Sequence, residues 1–277
     1  MNSSMINAMT SMHAMQRKID LIADNIANLN TAGYKRKASS FEDLLTTLKQ
    51  QDERFAQNGR LTPLGFTTGW GVRMTQVVND FTQGPIQVTG NAYDLAILGR
   101  AFFEVIVDGA GTRAYTRNGA FQARVNEDGN LVVTTADGCP LVVRNADGED
   151  VPLVLPADYE LQVDAWGTVR AVSPDSSRVL ELGRLKLVEP ARPEALLTVA
   201  DNLYAVAEGV DPAEVLVDAQ PDADNDLRIT QGALEQSNVE LQTELTELLM
   251  AQRAYQLSAR ALQSADTMMS LANQLRA

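Results

Sequence analysis

The apolar positions at the start of the chain recur with the spacing of a single helix face. Met5, Ala8, Met12, Met15, Ile19, Ile22, Ile26 and Leu29 are separated alternately by three and four residues, the a/d pattern of a heptad seam. The pattern predicts a helix over about residues 3–31, about 43 Å long at 1.5 Å per residue. Gly33 is placed to supply a left-handed C′ cap, and Lys35, Arg36 and Lys37 follow where cations suit the negative end of the helix dipole. The far end mirrors this. Ser237-Asn238-Val239-Glu240 reads as a capping box. Leu241, Leu245, Leu248, Ala251, Tyr255, Leu262, Ala265, Met269 and Ala272 then recur at helical spacing, with Ser258 between Tyr255 and Leu262. No Pro or Gly interrupts residues 233–277, which predicts a second helix about 60 Å long, longer than the ordinary globular helix and suited to a coiled coil or bundle.

Between the ends the period changes from that of a helix to that of strands. Asp108-Gly109, Asn118-Gly119, Asp128-Gly129, Asp137-Gly138 and Asp147-Gly148 punctuate short apolar runs such as FFEVIV, LVVTT, LVVRN and GRLKLVE, the signature of successive hairpins. The expected fold is therefore mixed α and β: long terminal helices pairing as a coiled coil, with a central all-β domain. Residues 1–36 and 232–277 form the helical part, 37–90 and 200–231 link, and 91–199 make the β domain. Within the first linker FEDLLTTLKQQ could extend as a helix, whereas NGRLTPLGFTTGWG reads as a loop.

One helix face against one partner is a weak device, because burial of a single stripe must offset the entropy of ordering some thirty residues. The terminal helices are expected to become ordered when several neighbours surround them. Met5, Met12 and Met15, with Met9 alongside, suit irregular gaps between non-identical neighbours. Asn25, Asn28 and Asn30 are poor helix formers; for Asn25 and Asn28 the amides either bridge helices or sit exposed in a fraying last turn. The expected assembly seam comprises Met5, Met12, Met15, Ile19, Ile22, Asn25, Ile26, Asn28, Leu29, Leu241, Leu245, Leu248, Tyr255, Leu262 and Met269.

Composition narrows the chemistry. A net charge of −13 argues against nucleic acid, which calls for a basic footprint. No run of 18 apolar residues suggests a membrane helix, and no cleaved secretory signal is read at the start. One cysteine, Cys139, rules out a disulfide within the chain. One histidine, His13, lies in a helical pattern without the partners a nucleophilic site needs. Gly109 to Ala114 matches G-x-G-x-x-A, but it runs into a strand pattern rather than opening a helix. Asp222, Asp224 and Asp226 resemble the start of a calcium loop, yet Leu227 and Ala233 stand where Gly and Glu are required. No enzyme, cofactor or metal reading gains support.

Three stretches then resemble the bacterial flagellar axial proteins of the rod and hook family. ADNIANLNTAGYKR, Ala23 to Arg36, is similar to the family's N-terminal signature, carried by Asn25-Ile26-Ala27-Asn28 and by Thr31, Gly33, Tyr34 and Lys35. Gly232, Leu234, Glu235, Ser237, Asn238, Val239 and Gln252-Arg253-Ala254-Tyr255 resemble its C-terminal helix region. DLAILGRAFFEV and AYTRNGAF resemble the start of its β domain, with Ala101 where the family usually has Gly. The resemblance implies a structural rod subunit, of the distal type or its proximal relative, exported without a cleaved signal by the flagellar export apparatus. It implies assembly with itself and other rod or hook proteins into a hollow helical shaft in the basal body, within ring proteins, with the β domain facing outward. A hook or hook-associated subunit, and a stand-alone β-rich secreted binding module, remain as alternatives.

Overall fold

The computed structural model describes residues 2–43, 47–49, 66–68, 71–107, 111–126, 129–173, 178–200, 202–207, 209–222 and 226–275. A helix at each end, Asn2–Ala27 and Leu241–Gln274, flanks a β-rich centre. The chain divides into two compact units. The first comprises residues 1–27, 37–78 and 240–277; the second comprises 28–36 and 79–239. The boundaries thus differ from the linking regions expected at 37–90 and 200–231.

In the first unit the two helices pack against each other. Asn25 meets Glu244 and Lys18 meets Glu247, so the chain directions are opposed. The strand Lys37–Asp43 pairs with Val72–Asn79, and Thr47–Lys49 with Phe66–Thr68. The possible helical extension FEDLLTTLKQQ is therefore strand in its described parts. Both helices start or stop earlier or later than their patterns predict. The first ends at Ala27 rather than near residue 31, because Asn28 turns the chain: its carbonyl accepts from Thr31 N at 3.2 Å, and its side-chain oxygen accepts from the Thr31 hydroxyl at 3.1 Å. The second begins at Leu241. The Ser237 hydroxyl accepts from Val239 N, two residues on, instead of closing a capping box with Glu240.

In the second unit an antiparallel six-stranded sheet runs in the order Leu196–Ala200, Leu203–Val206, Arg113–Thr116, Phe102–Ile106, Leu187–Pro190, Leu216–Ala219. A five-stranded sheet follows the order Asp150–Pro152, Val142–Arg144, Val179–Leu185, Thr168–Val172, Glu160–Val163, and Val154–Leu155, Leu131–Thr134 and Gln122–Val125 form a three-stranded one. Strand alternation sends neighbouring side chains to opposite faces, and the paired aromatics show it. Phe103 enters the larger core with Leu95, Leu141, Leu153 and Val169, edge-on to Phe121 at 5.2 Å. Phe102 enters a second cluster with Tyr115, Val188 and Val215, edge-on to Tyr204 and Phe81. Ala101, where the family usually has Gly, is itself buried in the larger core.

Not every turn signal marks a hairpin. Asn118-Gly119 connects Arg113–Thr116 to Gln122–Val125, which belong to different sheets. Gly119 is required there by space, since a Cβ would fall 1.6 Å from the Leu95 carbonyl oxygen. Asp108, Gly109 and Asp128 lie outside the described residues. An alternating network of Arg113, Asp150, Arg144, Asp218 and Lys186 ties strands of the five- and six-stranded sheets together.

Truncating a fully buried aromatic removes transfer energy and leaves a cavity. Phe103→Ala is expected to destabilise the second unit by about 3–5 kcal/mol, read as a lowered urea midpoint in the fluorescence of Trp166.

Candidate assembly surface and neck

Along the C-terminal helix the inward positions are Glu244, Leu248, Ala251, Tyr255, Ser258, Leu262, Ala265 and Met269, each buried or half-buried. The steps alternate four and three, as heptad packing requires. Large side chains at 248, 255, 262 and 269 alternate with small ones at 251, 258 and 265. Leu241 continues this spacing one step before Glu244 but is exposed at the helix start, and Leu245, beside the line, is exposed as well; Glu244 occupies the inward position between them. On the N-terminal helix Ala8, Ala14, Ile22 and Asn25 are buried, and Met5, Met12, Met15, Ile19 and Ile26 are half-buried. Asn28 and Leu29, also half-buried, lie in the turn beyond the helix.

Asn25 has no exposed surface. Its amide nitrogen donates to the Lys37 carbonyl at 3.0 Å, its amide oxygen accepts from Lys37 N at 3.0 Å, and the nitrogen also reaches Glu244 Oε2 at 3.4 Å. One side chain thereby joins the N-terminal helix, the start of the returning strand and the C-terminal helix. Pairing makes this burial tolerable, because an unpartnered amide in the same place would be costly. The Lys37 ammonium adds an ion pair to Asp24 at 2.6 Å.

The opposite side of the C-terminal helix mixes large exposed apolar side chains with charged and polar ones. Met250, Leu257, Met268 and Leu271 are more than half exposed, with Arg253 and Arg260 three residues after the first two. Leu241, Leu245 and Leu249 add further exposed apolar surface nearer the helix start. Among the described residues no helix is long and apolar enough to cross a membrane.

A second polar node lies in the β-rich unit, where the chain enters and leaves it. The side chains of Lys35, Arg117 and Glu235 are each 1% exposed. Lys35 Nζ donates to Glu235 Oε1 and to the Thr82 carbonyl, both at 2.7 Å. Gly84 N donates to the same carboxylate oxygen at 2.9 Å. Arg117 Nη1 stands 3.3 Å from Glu235 Oε2 as an ion pair without aligned hydrogen-bond geometry, and the guanidinium also donates to the Ile97 and Gly99 carbonyls. Its Cζ stands 5.5 Å from the centroid of the Phe102 ring, over the ring. Gly33, expected as a helix cap, serves this neck instead. Its N–H donates to the Glu235 carbonyl at 2.8 Å, its φ is +70°, and a Cβ would meet Asn118 N at 2.5 Å.

His13 is exposed on the N-terminal helix. Arg113 and Ala114 of the G-x-G-x-x-A match sit in a strand, and Gly109 lies outside the described residues. Asp224 does too, while Leu227 is buried in the core. Sequence periodicity missed Glu244, Arg117 and Glu235 as a group, since charged residues at buried positions carry no apolar signal.

Burial pulls the Lys35 ammonium below its ordinary value; the Glu235 charge opposes this, and the Arg117 charge adds to it. A depressed folded-state value means that the unfolded chain binds more protons between the two values. Stability from this group is therefore full above the ordinary value of 10.5 and lost as pH falls through the folded value. The parent chain should gain stability on the alkaline limb, and Lys35→Met should lack that component, as read from urea midpoints across the pH range.

The comparisons with known proteins fit this geometry. Residues 5–35 match the family described as Flagella basal body rod protein. Residues 96–171 match the Flagellar hook protein FlgE/F/G D1 domain, and 230–275 match the Flagellar basal body rod FlgEFG protein C-terminal. The chain is 35% identical to the flagellar basal-body rod protein FlgG of Agrobacterium fabrum, over 95% of each chain. It is 30% identical to FlgG of Borreliella burgdorferi over 97% of each. It is also 33% identical to the rod protein FlgF of Caulobacter vibrioides, over 94% of this chain and 92% of the relative. With both terminal motifs and the β-rich centre matched in order, the chain belongs to the flagellar basal-body rod protein family.

Proposed function

We propose that the chain is a structural subunit of the bacterial flagellar rod, polymerising into a hollow helical shaft that transmits torque and passes exported subunits. The observation that carries this reading is the second apolar line on the C-terminal helix, at Met250, Leu257, Met268 and Leu271, left uncovered opposite the line that packs on the N-terminal helix. Large exposed apolar side chains opposite a packed line suit a second neighbour on that side. The family relation makes that neighbour another rod or hook protein, and the inward pair then acts as a coiled coil. Contacts that repeat head to tail without closing generate a filament rather than a ring.

The role is mechanical and not enzymatic in this reading. Export by the flagellar apparatus, residence in the basal body and enclosure by ring proteins follow from membership of the family's assembly rather than from a site on this chain.

A strain lacking the gene, complemented in trans, tests the proposal. Ile22→Asp or Leu248→Asp on the inner line, and Leu257→Asp on the outer line, should each abolish swimming while the Trp166 unfolding transition of the purified chain persists. Normal swimming in both inner- and outer-line variants would refute it. The soluble chain should also exchange its terminal-helix amides far faster than the same helices in assembled rods.

A further inference from the structure

Two cations and one carboxylate are enclosed at the neck of the β-rich unit. Lys35 comes from the short segment that begins the unit, Arg117 from its middle, and Glu235 from its last strand. Glu235 is 200 residues from Lys35 along the chain. Its strand, Ala233–Glu235, pairs with Ile86–Val88, and around it Gln236 N donates to the Pro85 carbonyl at 2.9 Å. Asn238 accepts from Arg36 N at 2.7 Å and donates to the Asp80 carbonyl at 2.8 Å. The other carboxylate near Lys35 is Asp80, which is half-buried and accepts from Thr82 N. Removing one member of a buried ion pair leaves an uncompensated charge, which costs far more than the pair itself contributes. Without Glu235 the enclosure would hold two positive charges, with the half-buried Asp80 beside Lys35 the nearest offset among the described residues.

We propose that Glu235 is the closure residue of the β-rich unit: Lys35 and Arg117 are held in place by one late-arriving carboxylate, and the unit becomes stably folded only when the segment through Glu235 has joined it. Sheet formation alone does not complete this unit, because two of its buried side chains are cations waiting for a partner from the chain's far end. Long-range closure of this kind is slow relative to local pairing, so folding is timed by the arrival of Glu235. In a chain delivered N-terminus first, the unit stays unfinished until about 235 residues have emerged. The bearing of that delay on export rests on the rod reading; the closure does not.

The test uses the full chain with Trp70→Phe, so that Trp166 alone reports refolding from urea. Glu235→Gln keeps size and an acceptor for Gly84 N but removes the charge. It should refold at least 10-fold more slowly than the parent and unfold at lower urea. Lys35→Met/Glu235→Gln removes one of the two stranded cations and should recover part of both losses; Asn238 still donates to the Thr82 carbonyl that Lys35 vacates. A purely packing role for Glu235 predicts that the second change adds its own loss. Parental refolding rates in Glu235→Gln, or additive losses in the double variant, would overturn the proposal. Where Glu235→Gln alone leaves nothing folded, recovery of a cooperative transition in the double variant supports it, and no recovery overturns it. None of these readouts requires assembly, so failure here leaves the rod reading standing, and loss of that reading in the swimming assay leaves closure standing.

Discussion

A charge taken out of water has to be met by an opposite one, and the β-rich unit is organised around meeting it. Glu235 receives Lys35, Gly84 N and Arg117 at one carboxylate. Around that point the chain's entry and exit segments are stitched by backbone bonds, Gly33 to Glu235 and Gln236 to Pro85. The sheets supply most of the buried apolar surface, as the two aromatic clusters show. Apolar surface is non-directional, however, and does not by itself bring residue 35 beside residue 235. Ionic and hydrogen-bonding groups do, because they tolerate few arrangements once enclosed.

The helical unit solves a similar problem with an amide. Asn25 presents a donor and an acceptor to the backbone of Lys37 and a donor to Glu244. The rest of its seam consists of side chains with no directional demand, several of them methionines that fit many shapes. A single satisfied polar site in an apolar seam is a recognised means of fixing how two helices are matched. The polar residues of both motifs shared with the family thus act near the helix ends and in the segments that join them to strands.

Much of this was legible in the sequence, and the misses have definite causes. Periodicity located the C-terminal line at Leu248, Tyr255, Leu262 and Met269, because large apolar residues at helical spacing are the signal it reads. It does not register that Leu241, at the helix start, and Leu245, beside the line, are left exposed, since hydrophobicity does not say which apolar positions find a neighbour; the inward position there is Glu244, which Asn25 meets. The end of the first helix came early because Asn28 offers the backbone a turn, which apolar spacing does not register. Dipeptides such as Asp147-Gly148 announced a β-rich centre, but Asn118-Gly119 gave the same signal at a crossover where the constraint is the Leu95 carbonyl. Sheet order was not readable. Leu187–Pro190 pairs with Phe102–Ile106 across more than eighty residues, and no local pattern encodes a partner that far away.

The two helices differ in length, 26 residues against 34, and they run in opposite directions from a shared level near Asn25 and Glu244. The final turns of the longer one, bearing Leu271, consequently reach past the beginning of the shorter by about 10 Å at 1.5 Å per residue. One extremity of the pair is a protruding tongue and the other is flush with the crossing. The pair therefore carries a built-in polarity, with a front and a back.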